Sequence, residues 1–319
     1  MSVILGVVIF VVSLAVLIKA SDFFTGAAEK IGIKLGIPAF IIGVTIVAVG
    51  TSLPELISSI FAVTGGVSEI VIGNVLGSNI ANILLILGVV AFVSRKIETD
   101  YEILKVDLPI FFASAMFVVF VSFDGIINMW EGIIGLLGAV VYFSFAGMSS
   151  RNSGSKKVKK IRCEKKELRR DSLLFQLLIV FVSGIFIFFG AKYLIDSVIR
   201  LSDIFNIGKE IIAISAVALG TSLPELFVGV QAARKGNAGM AFGNVLGSNI
   251  FNSFIVLGIP ALIGPLIVPQ GIIMFSLPVM VGASFLYFFM IQDKQLTIWE
   301  GLILLLFYVM YIGKVFEFF

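Results

Sequence analysis

Residues Gly50–Gly88 and Gly220–Gly258 align without a gap at a constant offset of 170, and 20 of the 39 positions are identical. Each copy opens on Gly-Thr-Ser-Leu-Pro-Glu-Leu and runs on into Gly-Asn-Val-Leu-Gly-Ser-Asn-Ile. A fainter echo follows, where Trp130-Glu131-Gly132 matches Trp299-Glu300-Gly301. The copies therefore extend over both halves, about 1–150 and 171–319, and the fold must be made by packing one half against the other.

The solvent of those halves follows from composition. With 59% apolar and 13% charged residues, the chain lacks the polar surface that a soluble core of this size needs, so lipid is the expected solvent. Ten apolar runs are each long enough for a hydrocarbon core of roughly 30 Å: 3–20, 37–63, 70–93, 106–123, 127–148, 173–198, 211–233, 238–264, 271–291 and 297–316. Helices are expected throughout, because a backbone in lipid satisfies its polar groups within the segment. Spanning strands would need about ten residues of alternating polarity, and no run has that pattern. The first run, Val3–Ala20, lacks the basic start and small-residue cleavage site of a signal peptide and reads as a helix.

Five spans per half is an odd number. Equivalent helices then cross in opposite directions, which predicts an all-α integral membrane fold of ten transmembrane helices as two inverted five-helix repeats. Such a pair can present one site to either side in turn, which is the property of a secondary transporter more than of a channel. Lysine and arginine placement sets the orientation. The stretch 151–170 carries ten of the 23 basic residues, and with Lys19, Lys30, Lys34, Arg95, Lys96, Lys105, Arg234, Lys235 and Lys294 one face holds 19. Lys192, Arg200, Lys209 and Lys314 fall on the other. The basic loop is expected in the cytoplasm, both termini outside, in a cell (inner) membrane.

The repeated segments carry the chemistry. Pro54 and Pro224 lie inside long apolar runs, and each deprives a carbonyl four residues back, at Gly50 or Gly220, of its helical donor. Carbonyls around Ala48–Thr51 and Ala218–Thr221 are then available to a cavity. Glu55 and Glu225 follow the prolines directly, at a depth where a carboxylate costs about 2.5–3.5 kcal/mol on insertion scales. No basic residue lies deep in the matching helices, so a bound cation is the expected compensation. Thr51 and Ser52 precede Glu55 on the same helix face, as Thr221 and Ser222 precede Glu225. Next in each copy, Asn74, Ser78 and Asn82, and again Asn244, Ser248 and Asn252, form polar stripes at spacing four. Ser78, Asn82, Ser248 and Asn252 are read as ligands facing the glutamates. Asn74, Asn79, Asn244 and Asn249 are either ligands or interhelical hydrogen-bond formers.

The donor set is all oxygen with two negative charges, which suits Ca²⁺ and Na⁺. Zinc or copper would want nitrogen or sulfur, and the chain has one cysteine, Cys163, and no histidine. The same lack removes the usual nucleophile–base sets, so no enzyme activity and no organic cofactor are expected. Nucleic acid is not an expected partner, the lipid bilayer is, and a monomer holds the whole ion site.

These residues carry a family resemblance. GTSLPEL at 50–56 and 220–226, each followed by GNVLGSNI-x-N at 73–82 and 243–252, resembles the paired repeats of the cation/calcium antiporter superfamily, in particular its prokaryotic sodium/calcium exchangers. The resemblance implies exchange of Na⁺ for Ca²⁺ by alternating access, with helices 1 and 6 sliding past a rigid core. It implies Ca²⁺ at Glu55 and Glu225 with the carbonyls of Thr51 and Thr221. Na⁺ would use Ser52, Ser78, Ser222 and Ser248 with the carbonyls of Ala48 and Ala218, and Asn82 and Asn252 would complete the middle. Some relatives carry Asp where this chain has Asn252, which weakens the case for the alternative, Ca²⁺/H⁺ or K⁺-dependent antiport. The loop 149–171 is too short for the calcium-sensing domains of animal exchangers.

Overall fold

The computed structural model describes residues 3–94, 96–98, 101–153, 172–204, 220–291 and 295–315. The expected ligand Ala218, the basic stretch 154–171 with Cys163, and Arg95, Lys209 and Lys294 lie outside them. The described chain is predominantly helical: α1 (Val3–Leu35), α2 (Ala39–Thr64), α3 (Glu69–Ser94), α4 (Tyr101–Ser122), α5 (Met129–Ser153), α6 (Leu173–Ile204), α7 (Leu223–Arg234), α8 (Ala238–Ile263), α9 (Ile272–Ile291) and α10 (Ile298–Val315). Among the described residues eight of these, all but α4 and α7, are long and apolar enough to cross a membrane, and Val106–Ser122 within α4 is a shorter apolar helix.

The first apolar run ends at Ala20, yet α1 spans 33 residues and continues to Leu35. Its second half is held by packing rather than hydropathy: Phe24, Ala27, Ala28 and Ile31 are buried against the protein. Lys235, in the turn between α7 and α8, braces this half with a salt bridge to Asp22 at 3.0 Å and a hydrogen bond to Thr25 Oγ1 at 3.1 Å. The helix stops where Gly36 adopts φ +72° and the amide of Ile37 reaches back to Gly32 O at 2.8 Å, a glycine-dependent C-terminal cap.

α3 and α8, the helices that carry the repeated Asn/Ser stripes, sit at the centre and are the most buried of the spans, whereas α1, α5, α6, α9 and α10 turn most of their surface outward. The contacts that assemble the centre pair one half with the other. A methyl group added at Gly88 would lie 2.9 Å from Gly301 O, and one at Gly258 would lie 3.0 Å from Gly132 O. These are repeat-equivalent contacts, α3 on α10 and α8 on α5, in which glycine lets two backbones touch. Gly243 approaches still closer, with Phe40 O 2.3 Å from where its Cβ would be.

The Trp-Glu-Gly echo acquires a separate reason for each residue. Asn128 Oδ1 accepts from the amides of Trp130 and Glu131 at 2.9 and 3.2 Å while Glu131 Oε2 accepts from Asn128 N at 2.8 Å. This reciprocal cap starts α5. Thr297 and Glu300 repeat it at α10, with Glu300 Oε2 accepting from Thr297 N at 2.6 Å. Trp130 and Trp299 are 69% and 73% exposed at the helix starts, where an amphipathic ring suits a membrane interface. The glycines make the close contacts just described.

Four short strands, too short to span a bilayer, were not expected from the sequence. β1 (Lys96–Glu98) pairs antiparallel with β4 (Gln295–Thr297), Ile97 opposite Leu296, and β2 (Ile126–Ile127) pairs with β3 (Leu266–Ile267). Each pair joins one half to the other next to helix ends, and the two pairs are repeat equivalents.

Substituting Gly243 by Ala should destabilise the protein by about 1–3 kcal/mol, the overpacking range, because the clash is with backbone that cannot rotate away. Gly147→Ala, where a Cβ would meet nothing within 4 Å, should be neutral. Thermal unfolding in detergent checks the contrast.

Candidate functional site

The two glutamates are placed by a break in their helices. Continuous helix fails at Ser52 (φ −90°, ψ 5°) and at Ser222 (φ −87°, ψ 0°), and a new helix starts with proline in its first turn. Proline is tolerated at that place because the first-turn amides have no intrahelical acceptor. Glu55 and Glu225 fall in the same first turns, at helix N-termini, where partial positive charge favours a carboxylate. Both are 0% exposed. The opposing helices are irregular at the matching level: π-helical turns occupy Ala81–Ile86 in α3 and Asn252–Val256 in α8. Such turns shift the face that side chains present, and they recur at functional sites.

A symmetric set of hydrogen bonds fixes the break. Asn74 Nδ2 donates to Glu55 O and Asn244 Nδ2 to Glu225 O, each at 3.4 Å. Across the repeats, Thr221 Oγ1 donates to Asn74 Oδ1 at 3.2 Å and Thr51 Oγ1 to Asn244 Oδ1 at 3.1 Å. Each of these asparagines thus clamps the backbone of its own glutamate to the threonine of the other half. Of the two roles open to Asn74 and Asn244, the structure assigns them hydrogen bonding between helices. Asn79 and Asn249 likewise donate, to Ser253 Oγ at 3.0 Å and to Val245 O at 2.8 Å.

The other members of the predicted set are placed differently. Among the described residues, 15 buried side-chain nitrogen and oxygen atoms lack a hydrogen-bond partner, and eight of them belong to Glu55, Glu225, Asn82, Asn252 and Ser248. Both oxygens of Glu55, both amide atoms of Asn82 and of Asn252, Oε2 of Glu225 and Oγ of Ser248 are orphaned. An unmet buried polar atom costs about 1–3 kcal/mol, so this group alone matches the whole stability of a typical domain, about 5–15 kcal/mol. Neither glutamate has a basic partner among the described residues.

The remaining candidates have partners. Ser52 Oγ donates to Glu225 Oε1 at 2.9 Å, across the repeats. Ser78 Oγ lies 3.4 Å from Thr221 Oγ1. Ser222 is buried at the start of α7. The Ala48 carbonyl, expected to be freed by the kink, keeps its helical donor, Ser52 N at 3.0 Å; the Thr51 hydroxyl lies 3.3 Å away, with its one hydrogen shared toward Asn244 Oδ1 at 3.1 Å. Two serines in the network were not singled out from the sequence: Ser59, whose Oγ accepts from Asn74 Nδ2 at 3.3 Å, and Ser253. Their repeat equivalents are Gly229 and Ile83, so the duplication gave no signal for them.

An enclosed group of hard oxygen atoms with two carboxylates and no basic partner among the described residues can bind cations. Comparison with known proteins agrees with that character. The profile of the sodium/calcium exchanger protein family matches residues 5–148 and 175–316. The chain is 36% identical to the sodium/calcium exchanger MaX1 of Methanosarcina acetivorans, covering 97% of each chain. It is 35% identical to the inner membrane protein YrbG of Escherichia coli over 82% of this chain and 81% of that one. Among solved structures it resembles the sodium-calcium exchanger NCX_Mj soaked with Na⁺ and Ca²⁺, with a TM-score of 0.84 and 29% identity over 98% and 99% of the two chains. The chain is a multi-pass membrane protein and belongs to the sodium/calcium exchanger family.

Proposed function

We propose that the chain is an antiporter that exchanges Na⁺ for Ca²⁺ at one central site by alternating access. The observation that carries this reading is the concentration of orphaned buried polar atoms on two repeat-related pairs, Glu55 with Glu225 and Asn82 with Asn252. Two carboxylates match the charge of one Ca²⁺ or of two Na⁺, and the amide and hydroxyl oxygens add the further ligands that both ions want. Competition for one set of oxygens couples the fluxes: the site is emptied of one ion by binding the other. The names of the relatives, MaX1 and NCX_Mj, support sodium and calcium as the pair.

In this reading Glu55 and Glu225 bind Ca²⁺ with the carbonyls of Thr51 and Thr221. Ser52, Ser78, Ser222 and Ser248 serve flanking Na⁺, and Asn82 and Asn252 close the middle. The carbonyls of Ala48 and Ala218 add to the Na⁺ sites; Ala48 O keeps its helical bond from Ser52 N and would offer its second lone pair. The membrane arrangement is ten spans in two inverted halves, 1–150 and 171–319, with α4 and the region ending in α7 as the spans beyond the eight long ones. The connecting loop 151–170 lies in the cytoplasm and both termini outside, in the inner membrane. A monomer suffices.

Proteoliposomes loaded with Na⁺ and diluted into Na⁺-free buffer should take up ⁴⁵Ca²⁺, while K⁺-loaded vesicles given a pH gradient should not. Uptake driven by the pH gradient instead would replace Na⁺ by H⁺ as the coupling ion. Glu55→Gln or Glu225→Gln removes half the charge, a loss of about 3–5 kcal/mol by analogy with a broken buried charge pair. The Ca²⁺ flux of either variant should fall about a hundredfold or more, and wild-type flux in either would refute a shared site.

The asparagines separate ligand from scaffold. Asn74→Ala and Asn244→Ala each break a satisfied clamp and should lower ion-free stability by about 1–3 kcal/mol. Asn82→Ala and Asn252→Ala remove orphaned amides and should cost clearly less in ion-free detergent. Their loss should appear in the Na⁺ and Ca²⁺ concentrations needed for half-maximal exchange.

A further inference from the structure

A further carboxylate is enclosed by helices away from the glutamates, and the duplicated sequence provides an internal control for its role. Asp107 of α4 is 1% exposed. Tyr142 of α5 donates its hydroxyl to Asp107 Oδ1 at 3.1 Å. Oδ2 has no partner, and neither has the hydroxyl of Tyr287 on α9, which is itself fully buried. The two orphans lie on facing helices in the same region: Phe111, one turn beyond Asp107, meets the Tyr287 ring edge-on at 5.1 Å. Phe242 of α8 packs on the same ring at 5.4 Å.

The titratable groups facing Asp107 are therefore Tyr142 from α5 and Tyr287 from α9, and α8 brings an apolar ring. Among the described residues Asp107 has no salt bridge. The Lys105 side chain lies outside the description.

The second half makes the same contact without the charge. Leu108-Pro109 matches Leu277-Pro278 at the offset of 169 that also relates the Trp-Glu-Gly motifs, which places Ser276 at the position of Asp107 and Tyr311 at that of Tyr142. Ser276 Oγ and the Tyr311 hydroxyl lie 3.4 Å apart. A neutral hydroxyl is thus enough to join this pair of helices. What aspartate adds is a negative charge, and a buried charge without a counter-charge is not sustained.

The geometry points to a second cation site: the buried group of Asp107, Tyr142 and Tyr287 takes one monovalent cation, apart from the central glutamates, and when filled it ties α4, α5 and α9 together. Asp107 Oδ2 and the Tyr287 hydroxyl are the oxygens without hydrogen bonds that it would draw on. A proton would be carried on Asp107, and a sodium ion would add lone pairs of the tyrosine hydroxyls.

The test uses the full chain in detergent with Glu55→Gln and Glu225→Gln together, so that the central site no longer responds to ions and the exchange reading stands or falls separately. Thermal unfolding is followed while Na⁺ replaces choline at fixed pH, and again while pH is lowered in choline alone. A cation that binds the folded state raises the midpoint with the logarithm of its concentration. The midpoint should rise in one of the two titrations, and that response should be lost in Asp107→Ser and kept in Ser276→Ala. Asp107→Ser installs the residue that already pairs with tyrosine in the second half. Tyr287→Phe, which leaves the Asp107–Tyr142 bond intact, should weaken the response without abolishing folding.

A Na⁺-specific rise identifies a metal cation. A rise with falling pH, accompanied by a protonated-carboxyl infrared band that Asp107→Ser removes, identifies a proton. Equal responses of the parent and Asp107→Ser in both titrations would overturn the second site.

Discussion

Carboxylates enclosed by hydrocarbon and protein need positive charge close by, and among the described residues no basic side chain reaches Glu55 or Glu225. That single electrostatic demand organises the centre of the molecule. It explains why both glutamates sit at helix N-termini created by a break, where unpaired amides lower the cost of negative charge. It also explains why the chain leaves amide groups of Asn82 and Asn252 unmet instead of covering them with partners, as it does for Asn74 and Asn244. A helix in lipid has little freedom to expose backbone, and the irregularities next to these groups are the breaks at Ser52 and Ser222 and the π-helical turns at Gly43–Val47, Ala81–Ile86 and Asn252–Val256.

Those irregularities are affordable because the surrounding scaffold is close-packed. Without a hydrophobic driving force between helices in lipid, association depends on surface fit and on interhelical hydrogen bonds. Gly88 against Gly301 and Gly258 against Gly132 bring backbones into contact on both sides of the centre. The asparagine–threonine clamps add polar ties between the halves at the level of the break. α1 and α6 stand beside this core with most of their surface turned outward.

Much of this was legible in the sequence because duplication tests each residue twice. A motif kept at an offset of 170 marks Glu55, Glu225 and their serine, threonine and asparagine neighbours without reference to any other protein. Three things escaped for physical reasons. Hydropathy ends α1 at Ala20, since it does not register burial by partners distant in the chain. Helical spacing puts Asn74, Ser78 and Asn82 on one stripe, but which of them meets a partner depends on residues of the other half. Ser59 and Ser253 have Gly229 and Ile83 as equivalents, so they carry no repeat signal. The Ala48 carbonyl shows the limit of a local rule: the donor that Pro54 removes belongs to Gly50, and Ala48 keeps its ordinary helical donor, the Ser52 amide.

The duplication is marked in sequence and less regular at the candidate site. Ser52 donates to Glu225 Oε1 at 2.9 Å, whereas neither oxygen of Glu55 has a hydrogen bond, and Ser78 lies 3.4 Å from Thr221. In the alternating-access proposal such inequivalence has a use. Exchanging the contacts between Glu55 and Glu225 would give the opposite arrangement from the same residues, and ions that bind both arrangements could pass between them.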